Sequence, residues 1–196
     1  MYSIEILTIN ADAEKGKTLI GTIESAKDYF PSEAWDDIRL LGELQLDHHL
    51  TISSGTEDMG AFLFRKLLKK IKEIKKSQAL TNLVLGVTDD PVIAMHYYLH
   101  GKNFKKAVYV VHDYVNEKIG LISFFRIEES FSSKVVAHGL GHHKRLQHHV
   151  EPIDLMYSEL LKPVTLQIEG FCDACVRKLT DTHSVINSDS QKRPCD

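Results

Sequence analysis

The sequence predicts an α/β or α+β domain built on a mixed β-sheet. Three observations carry that class. Short continuous apolar runs, IEILTI at residues 4–9 and LVLGV at 83–87, have the length and β-branched content of buried strands. Other segments repeat their apolar residues at three and four, the spacing of one helix face. The order along the chain is strands, a long helix, more strands and then a helix rich in histidine, which suits a twisted sheet with helices packed on it.

At 196 residues the chain can bury a sizeable core without disulfides. Residues 1–180 are expected to form a single domain. Residues 181–196 are polar, have no hydrophobic period, and are expected to be a flexible tail.

Ile4–Ile9 reads as the first strand. Lys17–Phe30 reads as a helix with Leu19, Ile20, Ile23, Ala26 and Phe30 on one face and Pro31 stopping it. Ile38, Leu40, Leu44 and Leu46 fall on even spacing, which predicts a second strand. Ser53-Ser54-Gly55-Thr56 reads as a turn and a helix start. Phe64, Leu67, Leu68, Ile71 and Ile74 then mark a strong helix. Its outer face carries Arg65, Lys66, Lys69, Lys70, Lys72, Lys75 and Lys76, which suits a solvated surface first and an acidic partner second.

Leu83–Val87 reads as a short buried strand. Ile93–Leu99 is expected at a sheet edge because Pro91 and a charged loop flank it. Ala107–Val111 and Leu121–Ile127 are two further strands. A helix runs from Ser133 toward Leu146, and Pro152 and Pro163 interrupt the chain beyond it. Phe171–Leu179 is a last short helix.

Composition narrows the function. A net charge of −3 argues against a nucleic-acid partner. No apolar run approaches the ~20 residues needed to span a bilayer, so no membrane role is expected. MYSIEILTIN has no basic region followed by an apolar one, and the expected compartment is the cytoplasm. Three cysteines, two of them in Cys172-x-x-Cys175, point to metal or redox chemistry rather than a disulfide framework. A thioredoxin-like role for that pair finds no support in the rest of the chain. The outlier is histidine: of eleven, five lie between His138 and His149.

His138 and His142 are four apart, a turn of about 40° on a helix, so both imidazoles point the same way. That is the spacing by which two histidines share one zinc ion. On an unbroken helix His148 would lie ~15 Å farther along the axis and ~80° off that face. It can join the same ion only if the helix ends near residue 145 or 146 and the chain turns back. His143 and His149 are alternative donors if the register slips by one.

The pattern H-x-x-x-H-x-x-x-x-x-H with a methionine downstream resembles the zinc motif of metzincin peptidases, and its continuation resembles the archaemetzincins. That family carries H-E-x-x-H-x-x-G-x-x-H-C, four residues, C-x-M, and a later C-x-x-C. His138, His142 and His148 match its zinc histidines, Met156 matches the methionine of its Met-turn, and Cys172 and Cys175 match the closing pair. LVLGVTDD at 83–90 and the YYLHG after it resemble strands that precede the family's site. The resemblance spans about residues 80–180. It implies a zincin-like twisted mixed sheet with a packing helix, an active-site helix and a small C-terminal helical segment. It also implies one zinc ion on the three histidines.

The departures bear on chemistry. Gly139 stands where the family has the glutamate that moves protons between water and the leaving amine, and losing such a group typically forfeits ~100- to 10,000-fold in rate. Arg145 replaces a glycine at the turn after the helix. His149 and Asp154 replace two cysteines that, with the C-x-x-C pair, hold a second zinc, so a His149, Asp154, Cys172, Cys175 site stays chemically open. The gap from Met156 to Cys172 is also slightly shorter than the family's. The expectation is a zinc protein with little or no peptidase activity that binds a peptide or protein ligand. The alternative is an active zinc hydrolase using another base, with Glu128, Glu129, Glu151 and Glu159 as nearby carboxylates.

Overall fold

The computed structural model describes residues 3–101, 103–150, 152, 154–158, 160–161 and 168–188. Its centre is a five-stranded sheet. β1 (Ile4–Ile9) lies between β2 (Ile38–Leu44) and β5 (Leu83–Thr88), parallel to both. β9 (Ile119–Ser123) continues the parallel run beside β5, and β8 (Asp113–Val115) closes that side as an antiparallel edge. Every residue of β1, β5 and β9 is buried, as expected for strands covered on both faces.

One face of this sheet carries Ile4, Ile6, Leu85, Val87 and Ile122. It packs on α1 (Ala13–Lys27) through Leu19 and Ile23, and on α3 (Glu129–His143) through Val136, Ala137 and Leu140. The opposite face carries Ile9, Val84 and Leu121 and packs on α2 (Phe64–Ser77) through Leu67 and Ile71. α4 (Asp173–Ser188) adds Cys175 and Leu179 to the first core. Arg65, Lys66, Lys69, Lys70, Lys72 and Lys76 of α2 face solvent, while half-buried Lys75 donates to the Asn82 carbonyl. Among the described residues, no helix is long and apolar enough to cross a membrane.

A second sheet has the order β3 (Leu50–Ser54), β4 (Glu57–Leu63), β6 (Val92–His100) and β7 (Asn103–Val110). It corrects one expectation and bears out part of another. Ser53 and Ser54 end β3 and Gly55-Thr56 turn the chain into β4, so no helix starts there. β6 pairs with β7 along its length but with β4 only at Val92 and Ile93, so the expected edge holds for residues 94–99 on that side.

Boundaries shift for local reasons. α1 begins at Ala13 because the Asp12 carboxylate accepts from the backbone N–H groups of Glu14 and Lys15, an N-cap that precedes the amphipathic run. The even spacing of residues 38–46 is interrupted by a bulge opposite Ile6 and Leu7, with Gly42 at φ +144°. The bulge lets Ile38 join one core and Leu44 the other, while Leu46 falls beyond the strand. The last strand ends at Ser123 rather than Ile127, and α4 runs to Ser188 rather than stopping at Leu179. Pro163, Glu151, Glu159 and residues 189–196, Cys195 among them, lie outside the described residues.

Candidate metal centre

α3 is buried along most of its length, which makes it a rigid base for the side chains it projects. Its end delivers the third histidine. The N–H of Arg145 donates to the His142 carbonyl at 2.9 Å and that of Leu146 to the Gly141 carbonyl at 3.0 Å, the paired bonds of a Schellman motif. Arg145 occupies the left-handed position of that motif at φ +63°. Buried Leu146 provides the apolar contact back to the helix that such caps use. The helix stops at His143, two to three residues before the expected end, and the chain reverses as the histidine spacing requires, without glycine. The exposed Arg145 guanidinium meets Glu117 Oε1 at 2.6 Å.

The turn brings three imidazoles together. His138 Nε2 lies 3.1 Å from His142 Nε2 and 3.2 Å from His148 Nε2, and the last two are 3.0 Å apart. The other ring nitrogens fix the tautomers. His138 Nδ1 meets the Leu155 carbonyl at 2.8 Å and His142 Nδ1 meets the Leu146 carbonyl at 3.2 Å. A carbonyl only accepts, so both rings carry their proton on Nδ1 and aim bare Nε2 lone pairs at the same point. Lone pairs so close repel one another unless a cation lies among them. Zinc bonded tetrahedrally to three nitrogens at about 2.0–2.1 Å spaces them about 3.3 Å apart, close to what is found. The backbone carbonyls that fix the rings are the outer partners such a ligand set needs. Burial pushes His138 down to about 4 and lowers His142 as well, so both rings are neutral ligands at physiological pH.

Met156 is fully buried on the turn that also carries Leu155, and it packs against α3 where Gly141 leaves room, its Sδ 2.5 Å from where a Cβ would stand. His143 takes no part in the triad. It points the other way, with Nδ1 on the Asn116 carbonyl at 3.0 Å and its ring on Trp35.

A second group gathers His149, Asp154, Cys172 and Cys175, with their ligand atoms within 4.8 Å of one another. His149 Nε2 lies 3.1 Å from Cys175 Sγ. The Asp154 carboxylate accepts from the backbone N–H groups of Met156 and Cys172, which ties the Met156 turn to the start of α4. Burial, with Asp154 and Cys172 adding to it, pushes the Cys175 thiol up to about 12. A bound metal would reverse that by taking the thiolate. Both groups can thus hold a metal ion, one with nitrogen donors and one with mixed donors.

The three histidines open on a cleft of about 890 Å³ bordered by β7, β8 and by Ser158, Leu160 and Leu161. One carboxylate there was invisible in the sequence pattern. Asp113, on β8, places Oδ2 4.0 Å from His138 Nε2. Burial raises its carboxyl above the ordinary value, opposed by His142, His148 and His112. A local turn sets its position. Asn116 accepts from the N–H groups of Lys118 and Ile119, an Asx turn joining β8 to β9, which puts Asp113 and Val115 on one face of a short hairpin. Glu128 and Glu129 are exposed at the start of α3, about 13–15 Å from His138 along the axis.

A crystal structure of archaemetzincin from Methanopyrus kandleri aligns with 93% of this chain and 96% of its own, at a TM-score of 0.56 and 18% identity. The fold is the archaemetzincin fold. A zinc-dependent peptidase from Methanocorpusculum labreanum aligns over 89% of this chain and 99% of its own at a TM-score of 0.48 and 15% identity. No family model matches the sequence, and no curated protein matches it. Within the archaemetzincin fold, the three-histidine group sits on α3 and the turn that ends it.

Proposed function

We propose that this chain is a zinc protein with an archaemetzincin-like site, holding the ion through His138, His142 and His148 and receiving an extended peptide in the cleft beside it. The observation that carries the reading is the convergence of three Nε2 atoms, two with no proton, at the floor of an open cleft. Zinc there supplies a Lewis acid that polarises a carbonyl and acidifies water. The chain lacks a carboxylate on α3 next to His138, since Gly139 stands there, so peptide hydrolysis is expected to be weak or absent.

The test is zinc per chain in protein purified without chelator or histidine tag, beside a His138→Ala/His142→Ala double variant, and then cleavage of fluorescently labelled unfolded casein. One equivalent lost in the variant, with cleavage slow or undetectable, is the expected result. Absence of bound zinc after incubation with the metal overturns the reading. The second reading, a working hydrolase with a different base, is favoured by the placement of Asp113.

A further inference from the structure

We infer that Asp113 is the relocated general base and acid of this centre, a carboxylate from the sheet edge serving where α3 offers only Gly139, and that it sustains a slow peptide hydrolysis. The inference rests on the reading that His138, His142 and His148 hold zinc.

A Cβ built on Gly139 would stand 3.5 Å from the Cβ of Asp113. A side chain at 139 and the side chain of Asp113 would therefore begin side by side. Val115, two residues along the same strand face, fills the remaining space with Cγ2 2.9 Å from that point. The bare helix position and the close approach of β8 are complementary: what the helix no longer projects, the strand does.

Asp113 can also reach the metal position, and its oxygens are available. Asp113 Oδ2 is 4.0 Å from His138 Nε2, yet Asp113 does not belong to the group whose ligand atoms lie within 4.8 Å of one another. It stands beside the donor set rather than in it. Among the described residues, Asp113 is the only carboxylate lining the cleft, and no hydrogen bond engages its oxygens. Asp154, by contrast, spends its oxygens on backbone N–H groups.

The chemistry balances as peptide plus water giving acid plus amine. Asp113 takes one proton from the attacking water, whose oxygen bonds to the scissile carbonyl carbon. The C–N bond breaks with its electron pair going to nitrogen, and the proton passes from Asp113 to that nitrogen. No redox change occurs.

The experiment compares zinc-loaded wild type with Asp113→Asn in cleavage of labelled unfolded casein. Zinc per chain, circular dichroism and the visible absorption of the Co(II)-substituted proteins are recorded beside it. The expected result is slow wild-type cleavage abolished by chelation, and a fall of ~100-fold, or to the chelated background, in Asp113→Asn. Zinc content and Co(II) absorption stay as in wild type. Should that variant not fold, Asp113→Ser carries the same comparison. Equal rates in variant and wild type overturn the inference. So does a zinc-loaded wild type that cleaves nothing, which leaves the zinc-binding reading standing. A variant that loses zinc or shifts the Co(II) spectrum makes Asp113 a ligand and also overturns it. A wild type that binds no zinc sinks the underlying reading instead.

Discussion

Val115 Cγ2 lies 2.9 Å from the point where a side chain at position 139 would begin. Val115 is itself buried, and its methyl groups fill the space left by the absent side chain of Gly120, 3.0 Å from where a Cβ there would stand. A glutamate at position 139 is therefore opposed by packing. Introducing it alone should overpack the α3–β8 contact and cost about 1–3 kcal/mol. Gly139→Glu is expected to lower the urea midpoint without raising the rate of casein cleavage. Val115→Ala/Gly139→Glu is expected to recover most of the lost stability. Equal midpoints for the single variant and wild type would show that β8 yields freely.

Arg145 holds a left-handed backbone at φ +63° without being glycine. Its ion pair with Glu117 is exposed on both sides and contributes little. Arg145→Gly should stabilise the protein by about 1 kcal/mol, the strain relieved less the added freedom of the unfolded chain. A rise in urea midpoint with unchanged zinc content checks it. A fall would mean that the guanidinium contributes more than its exposure suggests.

His138 is held down to about 4 and His142 is lowered too, burial being the first cause for each. Between pH 6.5 and about 4 the unfolded chain binds more protons at His138 than the folded one. Its contribution to stability is therefore full above pH 6.5 and is lost as pH falls toward 4, on the order of 3 kcal/mol, and His142 acts in the same direction. Metal-free protein should show a falling melting temperature across that window, and a His138→Gln variant should show a shallower fall.

Cys175 is buried and its thiol is pushed up to about 12, so in metal-free protein at pH 8 it stays protonated. Alkylation by iodoacetamide, read out by peptide mass spectrometry, should mark Cys172 well before Cys175. Zinc at the second group should protect both. Rapid labelling of Cys175 in the metal-free protein would contradict its burial.

Much of the fold was legible because it rests on periodicity. The buried strands IEILTI and LVLGV, the amphipathic α2 and the helix through His138 and His142 all announce themselves by spacing. The end of α3 was legible by a different route, since His148 reaches the other two only if the chain reverses. The hairpin of β3 and β4 was not, because Thr51, Ser53, Glu57 and Asp58 are exposed polar residues whose pairing is backbone-driven. Asp113 was not, because three residues of edge strand carry too little pattern to be seen, and its meaning comes from Gly139, distant in sequence and adjacent in space.

His148 and His149 are neighbours in the chain and serve different clusters, one joining His138 and His142, the other Cys175. A single peptide unit separates them, so an ion captured by either fixes much of the backbone that the other needs. The two equilibria are then linked, and the ordering entropy is met once rather than twice. Metal titrations should show positive cooperativity, with reciprocal coupling: a variant crippled at Cys175 loses affinity at the histidine triad by the same factor that a His138 variant loses it at the cysteines. The protein would load and unload its metals as a unit.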